Sequence, residues 1–186
     1  MSQNAGYIGY QLRELYKGKL LGTIFTDPDN PDDYIAGYVC EYSPKSVLIK
    51  AVTHFGKWDG FFAVRQSAVF DAIYDAIYAA RLELILKLNG EPPVKLPLTA
   101  GDDIIRNVLE FAAQSGRVIT LWTATETYVG FVSSINDMYL KLIPVDFMGE
   151  RCQDMQFRLP DIEMVSICSE EEIMYEMLDS YYRKKN

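Results

Sequence analysis

The hydrophobic pattern changes period several times along this chain, and the sequence of changes comes twice. In "YIGYQLRELYKG" and again in "DDIIRNVLEFAAQSG", apolar residues recur at three- and four-residue intervals and stop near a glycine. That spacing predicts a helix in each, with Asp102 and Asp103 well placed at the start of the second. Each is followed by segments in which apolar residues alternate through short runs rich in Val, Ile, Phe and Tyr. These are "AGYVCEYSPKSVLIKAVTHFGKWDGFFAVRQSAVFDAI" and "VGFVSSINDMYLKLIPVDFMGERCQDMQFRLPDIEMVSI". A period of two predicts strands. Helical spacing then returns, with Ile73, Tyr74, Ile77 and Tyr78 in the first copy and Ile173, Met174, Met177, Leu178 and Tyr181 in the second. The last helix carries a capping box in Ser169 and Glu172, acids in its first turn, and Arg183, Lys184 and Lys185 at its end.

The two copies share one register. Placing Gly37 over Gly130, a shift of 93, also brings Gly56 over Gly149, Arg65 over Arg158 and Val69 over Ile162 without a gap. Upstream, "GTIFT" and "VITLWT" end alike and are followed by turns of different length, "DPDNPDD" and "ATET". The stretch "GEPPVKLPLTAGD", with three prolines and two glycines, reads as a connection. The organisation expected is a first unit over 1–90, a linker over 91–101 and a second unit over 102–186, each unit being helix, about five strands, helix.

Composition narrows what such units can do. The chain has 186 residues, 49% apolar and 24% charged, as in ordinary globular proteins, and no apolar run approaches the span of a bilayer, so no membrane partner is expected. Cys40, Cys152 and Cys168 form no CxxC pair, which points to a reducing cytoplasm rather than to a disulfide framework or a zinc site. The formal charge of -8 divides into -1 through Thr99 (10 basic, 11 acidic) and -7 beyond it (8 basic, 15 acidic). A surface this acidic is poorly suited to coating nucleic acid by phosphate neutralisation. His54 has no second ligand at metal spacing, and the acids of "DPDNPDD" depart from calcium-loop spacing and read as a solvated turn. Cys40, among apolar neighbours, reads as a small buried residue. No phosphate-cradling loop or Ser/His/Asp arrangement is present, so neither a catalytic residue, a metal ligand nor a cofactor is assigned, and the chain is read as no enzyme.

From Val118 to Ile167 the sequence resembles an Sm-like (LSm) domain. Gly130, Ile135, Asn136, Met138, Leu140 and Leu142 fit the first Sm motif, with a spacing similar to that of the bacterial Sm-like RNA chaperone. "FRLPDI" is similar to the second motif, with Leu159 in place of the family's glycine. The first unit looks like a more diverged copy, with Gly37, Tyr42, Ser43 and Val47, then "VRQSAV", where Gln66 again replaces glycine. The resemblance implies a fold that is mainly β with flanking helices (α+β): two tandem Sm-like, small, bent, five-stranded barrels, each with an N-terminal and a C-terminal helix.

Carried over position by position, the family's RNA-contacting loops correspond to Asn136, Asp137, Met138 and Arg158, and to Ser43, Lys45 and Arg65 in the first unit. A pocket of that kind stacks bases and bonds their edges, so it needs few charges. The plainer reading is that Asn136 and Asp137 turn the chain and the arginines are solvated. Trp58 and Phe61, around two glycines in "GKWDGFF", are candidates for a surface that takes a protein partner or another subunit, which makes a homo-oligomer compatible with the sequence. Two functions stay open: a module binding single-stranded RNA, and a protein-interaction or scaffolding module whose RNA site has decayed.

Overall fold

The computed structural model of the chain describes residues 2–30, 32–98 and 103–184. Part of the expected linker, Asp102 and Lys185 lie outside them; residues 91–98 form neither helix nor strand. The described residues fall into two compact units, the first reaching Leu96 and the second running on from Ile105.

The first unit begins with α1 (Ser2–Gly18), whose Ile8, Leu12 and Leu15 are buried at helical spacing. Five strands follow, β1 (Leu21–Phe25), β2 (Tyr34–Tyr42), β3 (Ser46–Val52), β4 (Trp58–Arg65) and β5 (Asp71–Ile73), with a 3₁₀ turn (Gln66–Ala68) before the last. Helix α2 (Ala76–Leu88) closes the unit; the Asp75 carboxylate accepts from the Ile77 and Tyr78 amides at its start. Ile73 and Tyr74, which the helical spacing placed inside this helix, precede it, because Ile73 is taken into β5 and Asp75 caps the first turn. Pairing is antiparallel in the order β5-β1-β2-β3-β4. Strand β3, between β2 and β4, is buried along nearly its whole length.

The second unit repeats the plan with α3 (Ile104–Ser115), β6 (Val118–Thr123), β7 (Thr127–Ile135), β8 (Tyr139–Pro144), β9 (Met155–Arg158), a 3₁₀ turn (Leu159–Asp161), β10 (Ile162–Ile167) and α4 (Glu170–Arg183). Its order is β10-β6-β7-β8-β9, again antiparallel. Ile104, Ile105, Val108, Leu109 and Ala112 bury one face of α3.

The spacing of 93 extends to backbone geometry. Ser46 pairs with Arg65 as Tyr139 pairs with Arg158, and the register slips between Val39 and Glu41 as it does between Val132 and Ser134. A Cβ on Gly37 would press on the Lys50 carbonyl and lie 3.0 Å from Ala51 Cα; on Gly130 it would press on the Ile143 carbonyl and lie 2.7 Å from Pro144 Cα. Gly56 and Gly149 both hold positive φ, +67° and +83°, where the strand-connecting loop abuts the C-terminal helix of its own unit.

The expected closed barrels are not formed. The described residues contain ten strands and four helices, mostly β, and the sheet is open. Closure of a unit would require its two end strands to share a ladder. Strand β5 has only three residues, all spent on β1, and the 3₁₀ turn at Gln66 swings the chain away from β4 instead of folding it back as a hairpin. In the second unit β9 pairs only with β8, and the 3₁₀ turn at Leu159 carries the chain off to β10, whose partner there is β6.

Candidate functional site

The residues assigned to the second unit's RNA loop do converge. Asn136 Oδ1 accepts from the Met138 and Tyr139 amides at 2.9 and 2.8 Å, a turn its short side chain builds between β7 and β8. The Met138 carbonyl accepts from Leu159 N–H at 2.9 Å, which ties that turn to the corner after β9. Arg158 lies across the ladder from Tyr139, and Met138, Tyr139 and Arg158 are all exposed. Asp137, whose side chain is 98% exposed, is 3.5 Å from Nη2 of Arg106, which also bonds Glu110 at 2.8 Å. Arg106 of α3 is a member of this corner that sequence comparison does not bring out, because it lies outside both motifs. Its spacing of four from Glu110 is the only signal it gives.

The equivalent corner of the first unit is filled. Ser43 and Ser46 are buried and bonded to each other, and Gln66 Nε2 donates to the Ser43 carbonyl at 2.6 Å. Tyr42 donates its hydroxyl to the Gly9 carbonyl of α1. Lys45 is exposed at the turn and Arg65 is half-buried at the end of β4. Gln66 thus closes this corner with its side-chain amide. Leu159, its counterpart, is buried instead.

Phe61 is 5% exposed and forms no surface, since alternation along β4 turns it into the core. Trp58 is half-buried, with Lys50 Nζ 3.2 Å from its ring centroid and Tyr38 tilted beside it. The exposed aromatic of this region is Phe55, packed on His54 at the tip between β3 and β4. Its counterpart tip in the second unit carries Phe147, 86% exposed, and Met148, on a turn closed by the Asp146 carboxylate. Cys40 is exposed, against the buried reading, because alternation along β2 turns Val39 into the core and Cys40 outward. Its sulfur still bonds the Leu48 carbonyl, and surrounding protein, with the neighbouring Glu41 charge, pushes the thiol up to about 11.

Further departures from ordinary burial are on the C-terminal helices. On α2, Ile77 is 86% exposed, and Leu84 and Leu88 continue the same strip. Helix α4 is inverted. Glu172 is buried, accepting from Thr120 Oγ1 at 2.7 Å, from Ser166 Oγ and from the Ser169 amide. Glu176 accepts from Arg117 and from Val118 N–H, and Asp179 from Arg151, so three carboxylates share the inward side of the helix with half-buried Tyr175, Leu178 and Tyr182. Ile173, Met174, Met177 and Tyr181 face outward. Among the described residues no group of three His, Cys, Asp or Glu side chains is placed to hold a metal, and no helix is long and apolar enough to cross a membrane. Compared with known proteins, the chain matches no family model and no curated protein.

Proposed function

We propose that this chain is a non-enzymatic protein-interaction module of the cytoplasm, whose docking surfaces are the outer faces of its C-terminal helices. The observation that carries this reading is the inversion of α4, which places carboxylates inward and Ile173, Met174, Met177 and Tyr181 outward. A solvent-facing strip of this kind leaves water only when another surface covers it. Ile77, Leu84 and Leu88 on α2 support the same reading. The thiol with the clearest environment, Cys40, is held protonated rather than activated, which agrees with a non-catalytic role. Unpaired Cys40, Cys152 and Cys168 accord with a reducing compartment.

One observation favours a second reading, binding of single-stranded RNA at the corner of the second unit. There Arg158 lies opposite Tyr139 beside an exposed Met138, so a cation and a stacking ring share one edge. The Sm-like resemblance of the same residues supports it. Asn136 is already spent on its turn, and Asp137 adds negative charge, which weigh against it.

Affinity purification from extract with wild type, Ile77→Glu/Leu84→Glu and Arg158→Ala separates the two. The protein-interaction reading expects partners retained by wild type and Arg158→Ala and lost from the α2 variant, and no saturable binding of U-rich or A-rich oligonucleotides by fluorescence anisotropy. Nuclease-sensitive retention, or oligonucleotide binding lost in Arg158→Ala, transfers the function to RNA.

A further inference from the structure

The inverted helix α4 also points to what covers it. Its inward face cannot be exchanged for the outward one: rolling the helix to bury Met177 would strip Glu172 from Thr120, Ser166 and the Ser169 amide, and Asp179 from Arg151. Each stranded carboxylate would be costly, so the apolar face stays outside and needs a cover from elsewhere. Ile173, Met177 and Tyr181 recur every four residues and form one strip, with Met174 along its side.

The charges at the two ends of this strip are opposite. Glu170 and Glu171 open the helix and Arg183 and Lys184 close it. Met177 lies midway, seven residues from Glu170 and seven from Lys184. The strip is therefore complementary to itself when reversed. Resting on the reading of the chain as a protein-interaction module, we infer that the cover is α4 of a second copy, packed antiparallel about a two-fold axis at Met177. In that register Met177 meets Met177 of the other copy, Ile173 meets Tyr181 and Glu170 meets Lys184, each of these unlike pairs formed twice, while Glu171 and Arg183, about 120° round the helix, add only to the charge of each end. Antiparallel packing also opposes the two helix dipoles favourably. The turn bearing Phe147 and Met148 abuts α4 at Leu178 through Gly149. A single pair of 14-residue helices buries less than the roughly 1,200–2,000 Å² of a standard interface, so the dimer is weak and concentration-dependent.

Light scattering and sedimentation of the full chain over a wide concentration range test this. The apparent mass is expected to rise from 21.2 kDa toward twice that value, and Met177→Glu to raise the dissociation constant by about tenfold or more with an unchanged circular dichroism spectrum. Two charge variants, Glu170→Lys/Glu171→Lys and Arg183→Glu/Lys184→Glu, should each stay monomeric alone and associate when mixed, because mixing restores unlike charges at both ends. A wild type that stays at one chain throughout, a dimer indifferent to Met177→Glu, or charge variants that do not associate on mixing would each overturn the inference. Ile77→Glu/Leu84→Glu should dimerise as wild type does. A monomeric chain that still holds a partner through α2 would defeat the α4 pairing alone and leave the broader reading standing.

Discussion

Arg151 and Asp179 are joined at two points: Arg151 Nε donates to Asp179 Oδ1 at 2.7 Å and Nη2 to Oδ2 at 3.0 Å, while the guanidinium carbon lies 4.1 Å from the Phe131 ring centroid. The pair clamps the β8–β9 loop to α4, with Asp179 nearly buried and Arg151 about one-third exposed. Bidentate geometry of this kind exceeds an ordinary surface ion pair in strength. Arg151→Ala leaves the buried carboxylate uncompensated and should cost about 2–3 kcal/mol. Removing both partners should cost less than the sum of the single changes, with a coupling of about 1–2 kcal/mol in a double-mutant cycle by urea unfolding.

Glu172 serves three partners, and its loss should exceed that of any single cap. Glu172→Ala empties a buried position lined by Thr120, Ser166 and the Ser169 amide, and should cost about 2–4 kcal/mol. Ser169→Ala removes one side of the capping box and should cost about 1 kcal/mol. Urea midpoints with unchanged slopes would check both.

Gly37 and Gly130 are predicted to tolerate no side chain. Alanine at either drives a methyl into the backbone of the neighbouring strand and should cost at least about 2–3 kcal/mol. Gly6→Ala, with open space around it in α1, should be neutral or stabilising by up to about 1 kcal/mol. Thermal melts of the three variants give the ranking directly.

Cys40 should titrate late and react slowly. The folded protein holds this proton more tightly than the unfolded chain, so its contribution to stability is complete below the ordinary thiol value of 9.0 and is lost as pH rises toward about 11. Urea unfolding across that window should show a fall in stability that is smaller in Cys40→Ser. A disulfide reagent at pH 8 should modify Cys152, exposed in the β8–β9 loop, before Cys40, whose thiol is held protonated at that pH.

Elements governed by local periodicity were legible in the chain, and those governed by long-range geometry were not. Leu12 and Leu15 on α1, and Val108 and Ala112 on α3, carry a spacing that only a helix satisfies, and the Ser169–Glu172 box is written in four residues. Whether β5 meets β4 depends on where the 3₁₀ turn at Gln66 sends three residues, and no period reports that. Cys40 reads as buried from its apolar neighbours, but it follows buried Val39 along β2 and so faces outward. At the candidate corner, Asn136, Met138 and Arg158 could be placed from their motifs, but the plugging of the first unit by Gln66 requires knowing that its amide reaches the Ser43 carbonyl. The inversion of α4 was hidden because Glu172, Glu176 and Asp179 look solvent-facing until their partners on β6, β10 and the β8–β9 loop are known.

Strands β5 and β9 have three and four residues. A rim that short offers an incoming chain only a few unpaired amides and carbonyls, too few to template cross-β stacking. At these two ends, oily helices can be displayed with little risk that neighbouring molecules fuse there through their backbones.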